Sequence, residues 1–236
     1  DNVNIRKALN LSLDRNVITD KVLGQGQTPT YVFTPTYIEE GHLIQQPAYS
    51  KEPMAQRNEE AIKLLEEAGY SKANPLKFSI LYNTNENHKK VAIAAASMWK
   101  ANTKGLIDVK LENQEWKTYI DSRRAGRYDA ARAGWNADYN QATTFGNYFL
   151  SNSSNNTAKY ANPEYDKAIA ESYVATDAEG RAKAYAKAEE ILAKDYGIVP
   201  IFNYVNPRLV KPYVKGYSGK DPQDHIYLRN LYIIKH

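Results

Sequence analysis

Between residues 113 and 145 the sequence gathers side chains that can hold charge and stack on flat groups: Trp116, Arg123, Arg132, Trp135 and Asp138. Arg132 is the most informative, because it interrupts the small, apolar run Ala130-Ala131-Arg132-Ala133-Gly134. A guanidinium taken out of water needs a partner, since desolvating it alone costs several kcal/mol. Two readings meet that need. In one, Arg132 forms an internal ion pair with an Asp or Glu. In the other, the arginines and Asp138 offer opposite charges to the two ends of a zwitterion. Asp138 lies just past an expected strand end, the place where open α/β sheets hold ligands, which favours the second reading for that residue. Trp116 and Trp135 suit either a core or a ligand pocket, whereas Trp99 is expected in the core.

No catalytic set accompanies these residues. The four histidines, His42, His88, His225 and His236, form no HxxxH-type metal pair. Ser151, Ser153 and Ser154 lie outside any GxSxG elbow. Gly24-Gln25-Gly26 lacks the third glycine and the preceding strand of a phosphate loop. The acid pairs Glu59-Glu60 and Glu66-Glu67 fall on exposed helix faces. With no cysteine, thiolate nucleophiles, disulfides and Cys-based zinc sites are excluded. The expectation is a protein that is not an enzyme, with no metal and no cofactor.

The composition is that of an ordinary globular chain: 236 residues, 42% hydrophobic and 25% charged, with 19 tyrosines. The 31 basic and 27 acidic residues interleave, so the net charge of +4 builds no basic face and nucleic acid is not expected as a partner. No apolar run approaches the length of a membrane-spanning helix. The N-terminal residues carry no signal peptide, which an exported protein would have lost on maturation.

The elements that must position the site follow from periodicity. Ile5, Ala8, Leu9 and Leu13, then Ile18 and Val22, mark two short helices ended by Gly24 and Gly26. A long loop with Pro29, Pro35, Pro47 and Pro53 follows. Ala61, Leu64, Leu65 and Ala68 define a helix over 55–69, with Gly69 at its C-terminal cap. Leu76, Phe78, Ile80 and Tyr82 alternate as in a strand. Val91, Ala94, Ala95, Met98 and Trp99 line one face of a helix over 86–102, and His88 falls on the same inward stripe, as a structural histidine or as a ligand contact. A strand at 107–112, a helix at 115–124 and a strand at 128–134 complete an alternation that predicts an α/β lobe with a largely parallel sheet. Helices at 163–174 and 178–195 and a strand at 198–203 follow. Residues 204–236 change texture to tyrosine-rich, strand-like segments at 208–214 and 226–234, with turns at Gly216, Gly219 and Pro222 and no helix to cover them.

Several strings resemble the periplasmic oligopeptide-binding protein family, the family 5 extracellular solute-binding proteins of ABC transporters. They are Asn-Gln-Glu-Trp-Lys-Thr at 113–118, Ala-Arg-Ala-Gly-Trp-Asn-Ala-Asp-Tyr-Asn at 131–140 and Ser-Ser-Asn-Asn-Thr-Ala at 153–158. Leu-Tyr-Asn-Thr at 81–84, His88-Lys89-Lys90 and the terminal Asn-Leu-Tyr-Ile-Ile-Lys-His belong with them. The resemblance implies a type II periplasmic-binding-protein-like fold: a C-terminal α/β lobe (1–203) with a mixed sheet flanked by helices. It further implies a β-rich segment (204–236) returning to a largely absent N-terminal lobe. It also implies capture of short peptides of about two to five residues, held in part by their main chain. The remaining implications are delivery to an ABC-transporter permease and residence in the periplasm of a Gram-negative bacterium. By resemblance, Asp138 pairs with the peptide α-ammonium group, and Arg123, Arg132 and His88 lie where C-terminal carboxylates are neutralised. Trp116, Trp135 and Tyr204 line side-chain pockets. A lysine that family members offer to longer peptides is replaced by Leu23. The alternatives are a murein-tripeptide receptor of the same family, or a chaperone-like interaction fragment without a complete ligand site.

Overall fold

The computed structural model describes residues 2–219, 221 and 223–235; Asp1, Lys220, the expected turn residue Pro222 and the histidine His236 lie outside them. The N-terminal pattern forms helix α1 (Val3–Leu11), capped by the Asn2 side chain, and a short helix α2 (Arg15–Val17) that widens into a π-helical turn over Ile18–Leu23. Gly24, at φ 64°, closes that turn. Helix α3 (Met54–Glu67) ends in a Schellman arrangement: Tyr70 N–H donates to Leu65 C=O (3.0 Å) and Gly69 N–H to Glu66 C=O (2.9 Å), with Gly69 at φ 89°.

Strand β2 (Leu76–Asn83) is the axis of the lobe. It pairs in parallel with β3 (Ile107–Gln114) along its whole length and with β4 (Ala130–Ala131) at Ile80 and Leu81, giving the order β3-β2-β4. Helix α4 (Glu86–Asn102) crosses from β2 to β3, and α5 (Trp116–Arg124) leads from β3 towards β4. The predicted β-α-β-α-β succession is therefore present. The last strand is much shorter than the 128–134 expected. Before it, the Asp129 carboxylate takes the Ser79 N–H (2.8 Å) in place of a ladder carbonyl. After it, Arg132 N–H donates once more to Leu81 C=O (2.8 Å) and the chain leaves the sheet.

Two apolar clusters fill the lobe. Leu11, Leu65, Ile80, Val91, Trp99 and Ile107 form the first, where the Trp99 indole N–H donates to Leu9 C=O at 2.9 Å. The second gathers Phe145, Tyr148, Tyr165, Ile169, Tyr185 and Leu192 around α6 (Thr143–Gly146), α7 (Pro163–Val174) and α8 (Ala178–Lys194). The long loop after Gly24 is ordered by α8: the buried Glu189 carboxylate accepts the N–H groups of Phe33 and Thr34, and Arg181 pairs with the buried Glu40 at 2.6 Å. Within that loop β1 (Thr28–Pro29) pairs antiparallel with β5 (Phe202–Asn203), which is all that forms of the strand expected from 198.

The sheet itself is parallel; antiparallel pairing is confined to two separate two-residue ladders, β1-β5 and β6-β7 (Val214–Lys215 with Tyr232–Ile233). Residues 204–236 thus carry far less strand than the tyrosine-rich pattern predicts. Leu209, Leu228, Tyr232 and Ile233 stand exposed there, and a strand forms only where a partner supplies the other half of its hydrogen bonds.

Leu81 is fully buried on the central strand, on the face opposite Ile80 and Tyr82. Leu81→Ala is expected to lower stability by about 2–5 kcal/mol, seen as a lower urea midpoint with an unchanged slope.

Candidate functional site

The three parallel strands end on one edge, and the candidate residues follow those ends. Asn83 closes β2, and the first turn of α4 with His88 follows; after β3 comes Trp116; after β4, Arg132, Gly134, Trp135 and Asp138. Parallel strands that stop together create such a cluster, since every crossover loop must start there.

Arg132 is half-buried, and its guanidinium lies 5.4 Å from the centroid of the Tyr204 ring. Among the described residues no carboxylate pairs with it, so the internal ion pair that the sequence left open does not form. Its backbone is fixed on both sides: the N–H by Leu81 C=O, the carbonyl by the Tyr119 hydroxyl. Tyr119 is buried, and burial raises its phenol above the usual range although Arg123 and Arg132 pull it down. It also stacks near Trp116, with ring centroids 5.8 Å apart, and carries Arg123 5.4 Å from its ring centroid. Tyr119 therefore joins three of the predicted site residues, a role the sequence reading missed. A tyrosine on a helix looks like any core aromatic until its hydroxyl partner is known.

Arg123 differs from Arg132. It is 9% exposed, and one terminal nitrogen donates to the Tyr148 hydroxyl and to Thr157 Oγ1, both at 2.9 Å. Its charge is solvated from within by neutral oxygens, and it holds the 148–157 segment against α5.

His88 is half-buried, with Nδ1 2.7 Å from Asn83 Oδ1. With that oxygen as acceptor, Nδ1 carries the proton and Nε2 is left as an acceptor. Burial, with the nearby Arg132 charge adding to it, pushes the imidazole down to about 4. His88 is thus neutral at pH 7, and Arg132 carries the positive charge of this corner.

Asp138 is exposed, and no cation among the described residues pairs with it. Its backbone N–H donates to Thr144 Oγ1 (2.9 Å), and that hydroxyl donates to Asp138 Oδ2 (3.2 Å). Trp116 is 61% exposed, a flat apolar face at the mouth of the site. Trp135 is half-buried against Tyr148 (centroids 5.0 Å apart), and its indole N–H is buried without a hydrogen-bond partner. Tyr204 meets the site from the far end of the chain, closing over Gly134. A Cβ at Gly134 would lie 1.9 Å from the Tyr204 hydroxyl and 2.6 Å from its ring. Among the described residues no group of His, Asp or Glu is clustered to hold a metal, and no helix is long and apolar enough to cross a membrane.

This α/β lobe, with charged and aromatic side chains gathered at its strand ends, has known relatives. Residues 1–157 match the family described as Bacterial extracellular solute-binding proteins, family 5 Middle, and the chain belongs to that family. It is 98% identical over 236 residues to the periplasmic oligopeptide-binding protein OppA of Haemophilus influenzae, covering 100% of this chain and 44% of that protein. The periplasmic murein peptide-binding protein MppA of Escherichia coli is 44% identical over 232 residues, covering 98% of this chain and 43% of its own length. Among solved structures, Haemophilus influenzae OppA in complex with RPPGFSPFR superposes with a TM-score of 0.93 at 98% identity, over 100% of this chain and 46% of that one. The Escherichia coli murein tripeptide binding protein MppA superposes at 0.89 with 43% identity, over 100% and 46%. The fold is the mixed α/β, type II periplasmic-binding-protein-like fold of these structures. The chain spans less than half the length of the relatives it matches.

Two expectations follow from this geometry. The folded His88 value of about 4 lies below the ordinary 6.5, so the unfolded chain takes up a proton first. Its contribution to stability is therefore lost as pH falls below 6.5, and the loss is complete below about 4. An NMR titration should give a His88 midpoint near 4 that rises towards 6.5 in Arg132→Gln. Gly134→Ala should displace Tyr204 and cost about 1–3 kcal/mol, a penalty that Tyr204→Ala in the same chain relieves in a double-mutant cycle.

Proposed function

We propose that this chain is the C-terminal part of the solute-binding component of an ABC-type oligopeptide importer. The receptor captures peptides in the periplasm of a Gram-negative bacterium and hands them to the membrane permease; its role is binding, without catalysis. The observation that carries this reading is the pair of opposite charges near one set of strand ends, Arg132 without a carboxylate and Asp138 without a cation among the described residues. A zwitterionic chain supplies both missing partners: its α-ammonium group to Asp138 and its carboxylate to the corner of Arg132 and His88. Exposed Trp116, half-buried Trp135 and Tyr204 offer walls for side chains, and water fills the space that each sequence leaves. Main-chain hydrogen bonding makes such capture tolerant of sequence.

Residues 1–203 form one lobe of the receptor, and residues 204–236 return to a second lobe contributed by the N-terminal part of the protein. The exposed apolar side chains Leu209, Leu228, Tyr232 and Ile233 support this division, since a second lobe would bury them. The nine-residue RPPGFSPFR bound by the Haemophilus influenzae relative extends the range of lengths beyond the short peptides first expected. In a long peptide the carboxylate passes beyond Arg132, and the ammonium–Asp138 contact is the one that every length shares.

Asp138→Asn in the full-length receptor should weaken binding of a free tripeptide by about two orders of magnitude, measured calorimetrically, because the bound ammonium loses its counter-charge. Wild-type receptor that binds the N-acetylated tripeptide as tightly as the free one would remove the ammonium–aspartate contact from the mechanism.

A further inference from the structure

Asp138 faces a problem that its charge alone does not solve. A carboxylate on an exposed loop rotates freely, and fixing it on binding costs affinity. Thr144 addresses this directly. It is 4% exposed, six residues beyond Asp138 in the chain, and its hydroxyl is used twice. As acceptor it takes the Asp138 backbone N–H (2.9 Å); as donor it points its own hydrogen at Asp138 Oδ2 (3.2 Å). Both ends of the aspartate, main chain and side chain, are thereby referred to one buried oxygen. The hydroxyl engages Oδ2 and leaves Oδ1 without a partner among the described residues.

The loop that carries this pair is itself braced. Asn140 Oδ1 accepts the Glu39 N–H (3.3 Å), and Ala142 N–H donates to Glu39 C=O (3.0 Å). The next residue, Glu40, is buried and paired with Arg181 of α8 at 2.6 Å. The Thr144 hydroxyl is therefore a fixed point in the lobe, and the torsion it imposes on Asp138 is a property of the fold.

We propose that Thr144 is a positioning residue for the peptide's amino terminus. Its hydroxyl holds the Asp138 carboxylate in the orientation that presents Oδ1 to a primary α-ammonium group. The inference rests on the reading of Asp138 as the ammonium partner. It adds that discrimination for a free amino terminus depends on a second, buried residue that does not touch the ligand.

The test uses the full-length receptor and the ratio of Kd values for an N-acetylated and a free tripeptide, with the thermal midpoint recorded alongside. Thr144→Val, nearly the same shape without the hydroxyl, is expected to lower that ratio by about tenfold, and Thr144→Ala should do the same if valine impairs folding. Thr144→Ser restores the hydroxyl and should keep the ratio within about twofold of wild type. If Thr144→Val and Thr144→Ala keep the wild-type ratio while only the thermal midpoint falls, Thr144 is a loop brace and the inference is overturned. If Thr144→Ser loses the ratio as fully as valine does, the hydroxyl is not the agent and the inference is again overturned. A wild-type ratio near one would refute the Asp138 reading itself, a result distinct from either of these.

Discussion

A guanidinium that no carboxylate among the described residues neutralises stands at the end of a parallel strand, and the neighbouring elements are arranged to keep it there. Desolvating such a charge is costly, so it persists only where the backbone that carries it has no alternative position. The carbonyl of Leu81 on the central strand fixes the Arg132 N–H, the Tyr119 hydroxyl fixes its carbonyl, and the Tyr204 ring gives the guanidinium a π face. Its field adds to what burial does to its neighbour. Half-buried beside this cation, His88 stays neutral, and the Asn83 carboxamide gives its ring a fixed tautomer. Burial and one charge placed by a strand end thus set the electrostatics of this corner together.

Two buried arginines, Arg15 and Arg123, contrast with the half-buried Arg132. Arg15 is fully buried and has no carboxylate either, yet its nitrogens reach Pro200 C=O at 2.7 Å and Asn10 C=O at 3.0 Å, and it lies 4.1 Å from the centroid of the Tyr31 ring. Arg123 is met by the hydroxyls of Tyr148 and Thr157. Both donate to neutral oxygens within the fold, although among the described residues the Arg123 Nε finds no partner. For Arg132 the described residues supply a ring and no hydrogen-bond acceptor. The difference lies in the number of oxygens already committed to each, and on the proposed reading it leaves Arg132 open to a carboxylate.

Much of this architecture was legible in the sequence. The apolar stripe of Val91, Ala95 and Trp99 located α4. Arg132 stood out because a charge in a run of small residues contradicts its surroundings. The connections that perfect the site were hidden, because each is made by the fold. Thr144 is one of two adjacent threonines, and only loop closure decides which hydroxyl meets Asp138. Asn83 looks like a strand end until α4 brings His88 back over it. Gly134 reads as the end of the expected strand over 128–134; its absent side chain is required by Tyr204, far along the chain. The strands expected after 204 failed for a different reason. Alternation announces a strand's faces and is silent about its hydrogen-bonding partner.

Tyr204 ties these observations together. It belongs to the stretch that leaves the lobe, immediately after β5, and it is also the residue that rests on Gly134 and faces the Arg132 guanidinium. Any movement of the segment beyond Asn203 must therefore pass through a side chain in contact with Gly134 and Arg132. On the reading that this segment crosses to a second lobe, the crossing strand is not an inert hinge. Its first aromatic residue supplies the π face of the cation that receives the ligand, so the position of the second lobe and the environment of Arg132 are set by the same contact. Closure around a peptide and stabilisation of its carboxylate are then two consequences of one packing arrangement, in which a glycine makes room, a tyrosine fills it and an arginine lies across the ring.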